Sequence, residues 1–234
     1  MSGLENIKRD LNKLADKRQA ALLQRFFKTG RGEYGEGDVF IGIKVPIQRQ
    51  VAKRYKDLSN TEVVKLLHSK IHEYRLTALL IFTYRYKTET LSGRKKIYEL
   101  YLRNTRYINN WDLVDVTTPN IMGEYLLDRQ RDILYKLARS KSLWERRMAI
   151  LATFTFISNN DYADALRLAK LLLDDKHDLI HKAVGWMLRE VGKRDINIEE
   201  NFLKKYHQQM PRTMLRYAIE KFPEIKRKKY LDRS

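Results

Sequence analysis

Apolar residues recur at helical spacing along almost the whole chain. Leu4, Ile7, Leu11, Leu14, Leu22, Leu23, Phe26 and Phe27 carry the first stretch, broken near residues 16–19, so the pattern predicts two antiparallel helices or one kinked helix. Residues 29–38 hold Gly30, Gly32, Gly35 and Gly37 and read as a loop. The stretch 39–45 is β-like by residue type but short and alone. We expect an extended connector there, with Pro46 in the first turn of the next helix. Helices are then predicted at 47–56, 61–68, 72–87, 91–104, 111–127, 130–139, 143–158, 161–174, 178–192, 198–208 and 211–220. Clusters at 59–61, 109–110 and 159–161 look like N-caps. Pro119 falls inside the predicted helix 111–127, where a missing N–H should kink it or split it near Thr117 and Thr118.

The pattern also repeats. Segments starting at Arg75, Asp112, Arg146, Lys182 and Arg212 align, with starts 37, 34, 36 and 30 residues apart. A period in that range marks stacked helical pairs, each too small to bury its own apolar face. An all-α helical repeat solenoid in one domain, 1–234, is the expectation. In this register the fourth position is Ala78, Asp115, Ala149, Gly185 and Leu215. Small or apolar residues suit a packing position. An Asp there must be hydrogen-bonded, paired or poised for a ligand.

Charge changes the picture next. Lys and Arg number 47 against 29 Asp and Glu, a formal +18 with pI near 9.9. An excess of this size implies an anionic partner, nucleic acid before a membrane surface. Cysteine is absent, which excludes disulfides and thiolate metal sites. No apolar run approaches the ~18 residues of a spanning helix, and the first ten residues lack a signal-peptide core, so a cytoplasmic protein is expected. The glycine-rich loop has no following Lys-Ser or Lys-Thr and is flanked by Glu33, Glu36 and Asp38, which argues against a phosphate cradle. His68 with His72, and His177 with His181, have the i,i+4 spacing of helical zinc sites but no third ligand. No metal or other cofactor is expected.

Three segments could carry chemistry. In a helix opening at Trp111, Trp111 and Asp115 share a face, while Asp112 lies in the first turn, where the helix dipole accounts for it. The plain alternative for Asp115 is an inter-repeat salt bridge. Arg146 and Arg147 open another helix about 100° apart, so at most one faces Asp115 or a concave surface. Lys182, Trp186 and Arg189 stand at i, i+4 and i+7, a cation–aromatic–cation stripe suited to tracking a phosphate backbone; its alternative is a core Trp beneath two snorkelling cations. The basic tail 226–234 reads as a solvated terminus rather than a phosphate-contacting arm.

FFKTGRGEYGEGDVFIGIKVP at 26–46, NWDLVD at 110–115, WERRMAIL at 144–151 and KAVGWMLRE at 182–190 occur in order. Together they resemble the AlkD-type family of bacterial DNA alkylation repair glycosylases. That resemblance implies a C-shaped stack of HEAT-like repeats and hydrolysis of the N-glycosidic bond of N3- or N7-alkylated purines in duplex DNA. It implies Asp115, Trp111 and Trp186 as catalytic-cleft residues. Arg147, Arg146, Lys182, Arg189, Phe26 and Lys28 would contact DNA. Phe26 departs from the tyrosine of the best-known members. The family is thought to hold its lesion through the backbone, without a base pocket. A cationic purine is already a good leaving group; the carboxylate is needed for the positive charge developing on the sugar. No lysine lies within one helical turn of Asp115, which argues against Schiff-base lyase chemistry. A monomer acting on alkylated duplex DNA is expected, with a non-catalytic binder of distorted or branched DNA as the alternative. A protein-binding scaffold fits the +18 balance poorly.

Overall fold

The computed structural model describes residues 2–232, and among them it has no β-strand; the backbone forms fifteen α-helices, with a long connection at 27–44. Backbone proximity divides the chain into two compact units, Met1–Thr117 and Thr118–Ser234.

In the first unit the apolar stretch at the start resolves into α1 (Gly3–Lys13) and α2 (Lys17–Phe26). Asp16 separates them because its carboxylate caps α2, accepting from Arg18 N and Gln19 N. α3 (Val45–Arg54) carries Pro46 in its first turn, where no backbone donor is needed. α4 (Asn60–Leu67) opens with a full capping box between Ser59 and Glu62. α5 (His72–Thr88) is buried on nearly every side and packs against α3, α4 and α6 (Leu91–Arg103). The segment before α3 is extended, as its composition suggests, with one parallel bridge from Val39 to Ile71. It is pinned by buried Glu73, which accepts from Ile41, Gly42 and Ile43 N–H groups at 2.7–3.2 Å. Gly42 has φ +87, and a Cβ there would lie 2.0 Å from the Asp16 carbonyl oxygen, so neither the conformation nor the space admits a side chain.

α7 (Trp111–Thr118) ends where the sequence places the break. Pro119 has no N–H to return to the Asp115 carbonyl, and Pro119–Gly123 winds as a π-helix before the short α8 (Glu124–Leu126). The second unit continues with α9 (Asp132–Ala138), α10 (Leu143–Ser158), α11 (Ala163–Leu171), α12 (Asp178–Gly192), α13 (Ile196–Tyr206), α14 (Arg212–Ala218) and α15 (Glu224–Leu231). α10 packs on α9, α11 and α12; α12 packs on α13 and α14.

The repeat register falls on α5, α7, α10, α12 and α14, and its fourth position is a packing position: Ala78, Ala149 and Leu215 are fully buried. At Gly185 an added Cβ would sit 2.4 Å from the Met214 carbonyl oxygen and 2.5 Å from Tyr217 Cβ, so glycine is what lets α14 approach α12 this closely.

The helix predicted at 161–174 runs Ala163–Leu171, and Asp161 just before it accepts from Ala163 N while also meeting Arg131 at 2.6 Å. One expectation needs correction. The tail is helical and docked rather than solvated: Lys226 pairs with Glu200, Arg212 donates to the Leu231 carbonyl at 2.6 Å, and Tyr230 packs against His207 and Phe222. Arg233 and Ser234, which end that tail, lie outside the described residues.

Candidate active site

In the first unit the start of α7 is held by a buried chain of charges. Arg75 Nη2 donates to Asp38 Oδ1 at 2.6 Å; His72 Nδ1 meets Asp38 Oδ2 at 3.0 Å; His72 Nε2 meets Asp112 Oδ2 at 2.8 Å. Asn110 Nδ2 also donates to Asp38 Oδ2, at 3.1 Å, and Asp112 Oδ1 accepts from Leu113 N. Asp38, His72 and Arg75 are almost wholly removed from water. Burial alone would raise the Asp38 pKa, but the His72 hydrogen bond, the Arg75 charge and the Asn110 amide together hold it below its ordinary value. Burial works against a charged His72. Asp112 and Asp38 on either side of the ring outweigh it and raise the imidazole above 6.5. The array is balanced in charge when His72 is protonated: two carboxylates face a guanidinium and an imidazolium.

Trp111 stands between the two residues fixed by this array. Its N–H donates to Asn110 Oδ1 at 2.8 Å and its indole Nε1 donates to Tyr34 Oη at 3.3 Å, so the glycine-rich loop supports the ring. The ring heads an aromatic stack. Trp111 lies on Phe27 (centroids 5.1 Å apart), Phe27 on Phe40 (4.9 Å), and Phe40 on His72 (4.4 Å). Phe26, 63% exposed, meets Trp111 edge-on at 5.9 Å. Lys28 is exposed and takes a positive φ of 50 as the chain leaves α2. The stack borders a half-open cavity of about 420 Å³ whose walls include Leu23, Gln48, His72 and Asp112. Asp115, one turn beyond Trp111, is half-buried.

Two amides of the glycine-rich loop are taken by its own carboxylates: Glu33 Oε2 accepts from Gly30 N and Glu36 Oε2 from Gly32 N, both at 2.8 Å. The other histidines expected as pairs are engaged elsewhere. His68 Nε2 meets Asn104 Oδ1 at 2.6 Å, His177 caps α12, and His181 Nε2 meets the Asp175 carbonyl at 2.5 Å.

In the second unit Trp186 is half-buried, 6.0 Å from the Phe154 ring, and its Nε1 donates to Glu190 Oε1 at 3.1 Å. The expected cationic stripe on α12 is present, but each cation already has a carboxylate. Lys182 pairs with Asp178 at 2.7 Å, and that hydrogen bond is the main reason its pKa is raised. Arg189 pairs with Glu220 and is only 16% exposed. The two arginines of α10 do diverge. Arg146 binds Asp175 at 2.6 Å and the Ser140 and Lys141 carbonyls, whereas Arg147 is buried and donates to the Leu179 carbonyl.

Sequence reasoning missed Asp38, His72, Arg75 and Tyr34 as partners of the Trp111 turn. The one local signal was His72 and Arg75 at i,i+3; the contacts to residues 38 and 112 span 34 and 40 positions and leave no periodic trace.

Comparison with known proteins now bears on this arrangement. Two solved structures share the fold. One, described as "Predicted DNA alkylation repair enzyme from Enterococcus faecalis", superposes with a TM-score of 0.70 at 16% identity, covering 90% of this chain and 97% of that one. The other, AlkD2 from Streptococcus mutans, gives 0.57 at 19% identity, covering 89% and 99%. No match was found among curated proteins. A family model described as DNA alkylation repair enzyme matches residues 7–222, nearly the full length, and the chain belongs to that family.

Proposed function

We propose that this chain is a monofunctional DNA glycosylase that releases cationic N3- or N7-alkylated purines from duplex DNA. The observation that carries the reading is the half-exposed Asp115 at a register position that Ala78, Ala149 and Leu215 bury completely. A carboxylate within reach of solvent, one turn from a braced tryptophan, suits the task this reaction sets. An alkylated purine carries its own positive charge and departs without a general acid. The barrier lies in the cation that forms on the deoxyribose, which a fixed negative charge stabilises and whose attacking water it orients. Trp111 offers its ring to the sugar, excludes water on one side and favours a cation near its face; Trp186 is carried over on the sequence resemblance alone. Arg147, Arg146, Lys182, Arg189, Phe26 and Lys28 are assigned to the phosphate backbone and the rim. Of these, Phe26 and Lys28 are exposed and Arg147 is the least accessible.

The experiment is single-turnover release of free base from a duplex carrying one N7-alkylguanine, by the natural chain and by Asp115→Asn. Asn keeps the shape and loses the charge that only the transition state exploits, so release should slow about a hundredfold, roughly 3 kcal/mol, while melting temperature and duplex affinity hold. A variant that melts lower yet turns over undiminished would make Asp115 a structural ion-pair partner. No release by the natural chain would end the glycosylase reading.

A further inference from the structure

A second cavity in the first unit borders the buried charge chain, and its lining is cationic. It holds about 290 Å³ between the turn that enters α5, with His68, Ser69 and Lys70, and the segment that enters α7, with Arg106, Tyr107 and Asn109. Arg75 and Asp38 also line it, and their ion pair cancels both charges. The remaining carboxylate, Glu36, is turned to Gly32 N at 2.8 Å. Lys70 and Arg106 are exposed and meet no carboxylate among the described residues. They differ in this from Lys182 and Arg189 of α12, each of which an acid already neutralises. Both free cations are held in place. Arg75 takes the Ser69 and Lys70 carbonyls at 3.2 Å, and Val39 N donates to the Lys70 carbonyl as well, so the oxygens that would repel an anion beside Lys70 are covered. Arg106 lies over the Tyr107 ring, 4.6 Å from guanidinium to centroid, and His68 stacks on that ring at 3.9 Å. A guanidinium seated on a ring face keeps its N–H fork free in its own plane. The Ser69 hydroxyl accepts from Ile71 N and retains its own hydrogen to donate. The Arg75 contact recurs in the second unit, where Arg146 takes the Ser140 and Lys141 carbonyls, and turn geometry accounts for it. Turn geometry does not account for a cavity in which an ammonium and a ring-mounted guanidinium stand unpaired.

We propose that this cavity seats one phosphodiester of a duplex DNA backbone, with Arg106 and Lys70 sharing its free oxygens and Ser69 donating a further hydrogen bond. A fork and an ammonium converging on a small polar cavity suit a tetrahedral oxyanion. That the oxyanion belongs to DNA rests on the proposed action on duplex DNA; the cavity and its free cations do not. The location gives the contact its use. Asn109 lines the cavity two residues before Trp111, and Asp38 lines it while accepting from Asn110 Nδ2 at 3.1 Å. A phosphate held here fixes the strand against the same backbone that positions α7, so strand and Trp111 share one frame. Such a contact sets register and carries no sequence information.

The test is fluorescence anisotropy of the full chain on an undamaged labelled duplex across a salt series. The variants are Lys70→Gln, Arg106→Gln, their double, and a control double, Lys95→Gln with Lys96→Gln, which removes equal charge from exposed positions on α6. Each single substitution at the cavity should weaken binding about fivefold or more at low salt and reduce the steepness of the log–log salt dependence by about 0.9. Because both cations meet the same phosphate, their double should lose little beyond the worse single, whereas independent contacts would multiply. Should Arg106→Gln lower the melting temperature by releasing Tyr107, Lys70→Gln decides by itself, and Lys70→Arg should restore the slope. Unchanged slopes overturn the proposal. An equal loss in the control double overturns it too, because the attraction would then be diffuse. Calorimetry with inorganic phosphate separates the source: saturable phosphate binding that the substitutions abolish, with duplex affinity unaltered, would make this a site for free phosphate and end the backbone assignment. The two readings fail separately: base release from alkylated duplex with variants that bind like the natural chain removes this site alone, and duplex binding that depends on Lys70 and Arg106 without base release removes the glycosylase alone.

Discussion

Asp38→Asn tests whether the buried charge chain holds the first unit together. The carboxylate receives three donors: Arg75 Nη2 on Oδ1, and His72 Nδ1 and Asn110 Nδ2 on Oδ2. An asparagine has one acceptor oxygen and must turn its own NH2 toward a donor at the other position. Breaking a buried ion pair by changing one partner costs about 3–5 kcal/mol. Arg75 keeps the Ser69 and Lys70 carbonyls at 3.2 Å, which places the expected loss near the lower end, about 3 kcal/mol. For a chain of this length that corresponds to a fall of roughly 6–12 °C in melting temperature. Urea unfolding by circular dichroism across a pH series is the assay. Because the folded carboxyl lies below its ordinary 3.8, its contribution is complete above that value and is lost as pH falls through the lower folded value. The gap between natural chain and variant should thus close in strong acid, and it should also narrow as pH rises through the raised His72 value, where the charge on the imidazole that Asp38 helps hold is lost. A loss under about 1 kcal/mol at neutral pH would show that the array contributes no more than a surface pair, and the reasoning would fail.

Three further outcomes follow from the same geometry. His72→Gln should be less stable than the natural chain below pH 6.5, with the difference shrinking as pH rises through the raised folded pKa; urea midpoints that diverge with rising pH would contradict the assignment. Gly185→Ala must push the Met214 carbonyl and Tyr217 away from α12, and calorimetry should show a loss of about 1–3 kcal/mol; an unchanged melting temperature would mean that α14 shifts without cost. Affinity for duplex DNA should fall linearly with log salt, each neutralised phosphate adding about −0.9 to the slope, and a flat dependence would deny that the +18 surface is the binding face.

What the sequence disclosed was what neighbours in sequence decide. The break at Pro119, the N-cap within 59–61 and the divergence of Arg146 from Arg147 each depend on a few adjacent residues, and each is found. The register too was legible, because packing at its fourth position selects Ala78, Ala149, Gly185 and Leu215 by size. Where a distant partner adds to a local rule, local reading is incomplete: Asp161 reads as a cap and accepts from Ala163 N, but it also serves Arg131, 30 positions away. The tail misled for a similar reason. Its run of Lys and Arg suggests a solvated end, but Lys226 has Glu200 to meet and Tyr230 has two rings to pack on.

Asp112 shows why the site was only half readable. The helix dipole suffices to explain an Asp in a first turn, and so sufficient a local reason conceals a second use. Asn110 and Asp112 flank Trp111, and both are tied to the same buried pair, one to Asp38 and the other to His72. The backbone on either side of Trp111 is thus anchored, while Tyr34 and Phe27 restrain the ring. Apolar replacements of similar volume would stabilise the fold about as well as four buried charged groups. They would not fix where α7 begins. A catalytic group that acts through its charge needs a set position, since the benefit of a carboxylate beside a nascent cation falls with every ångström of slack. On the proposed function, the Arg75–Asp38–His72–Asp112 chain is what this unit spends on placing Trp111 and, one turn later, Asp115.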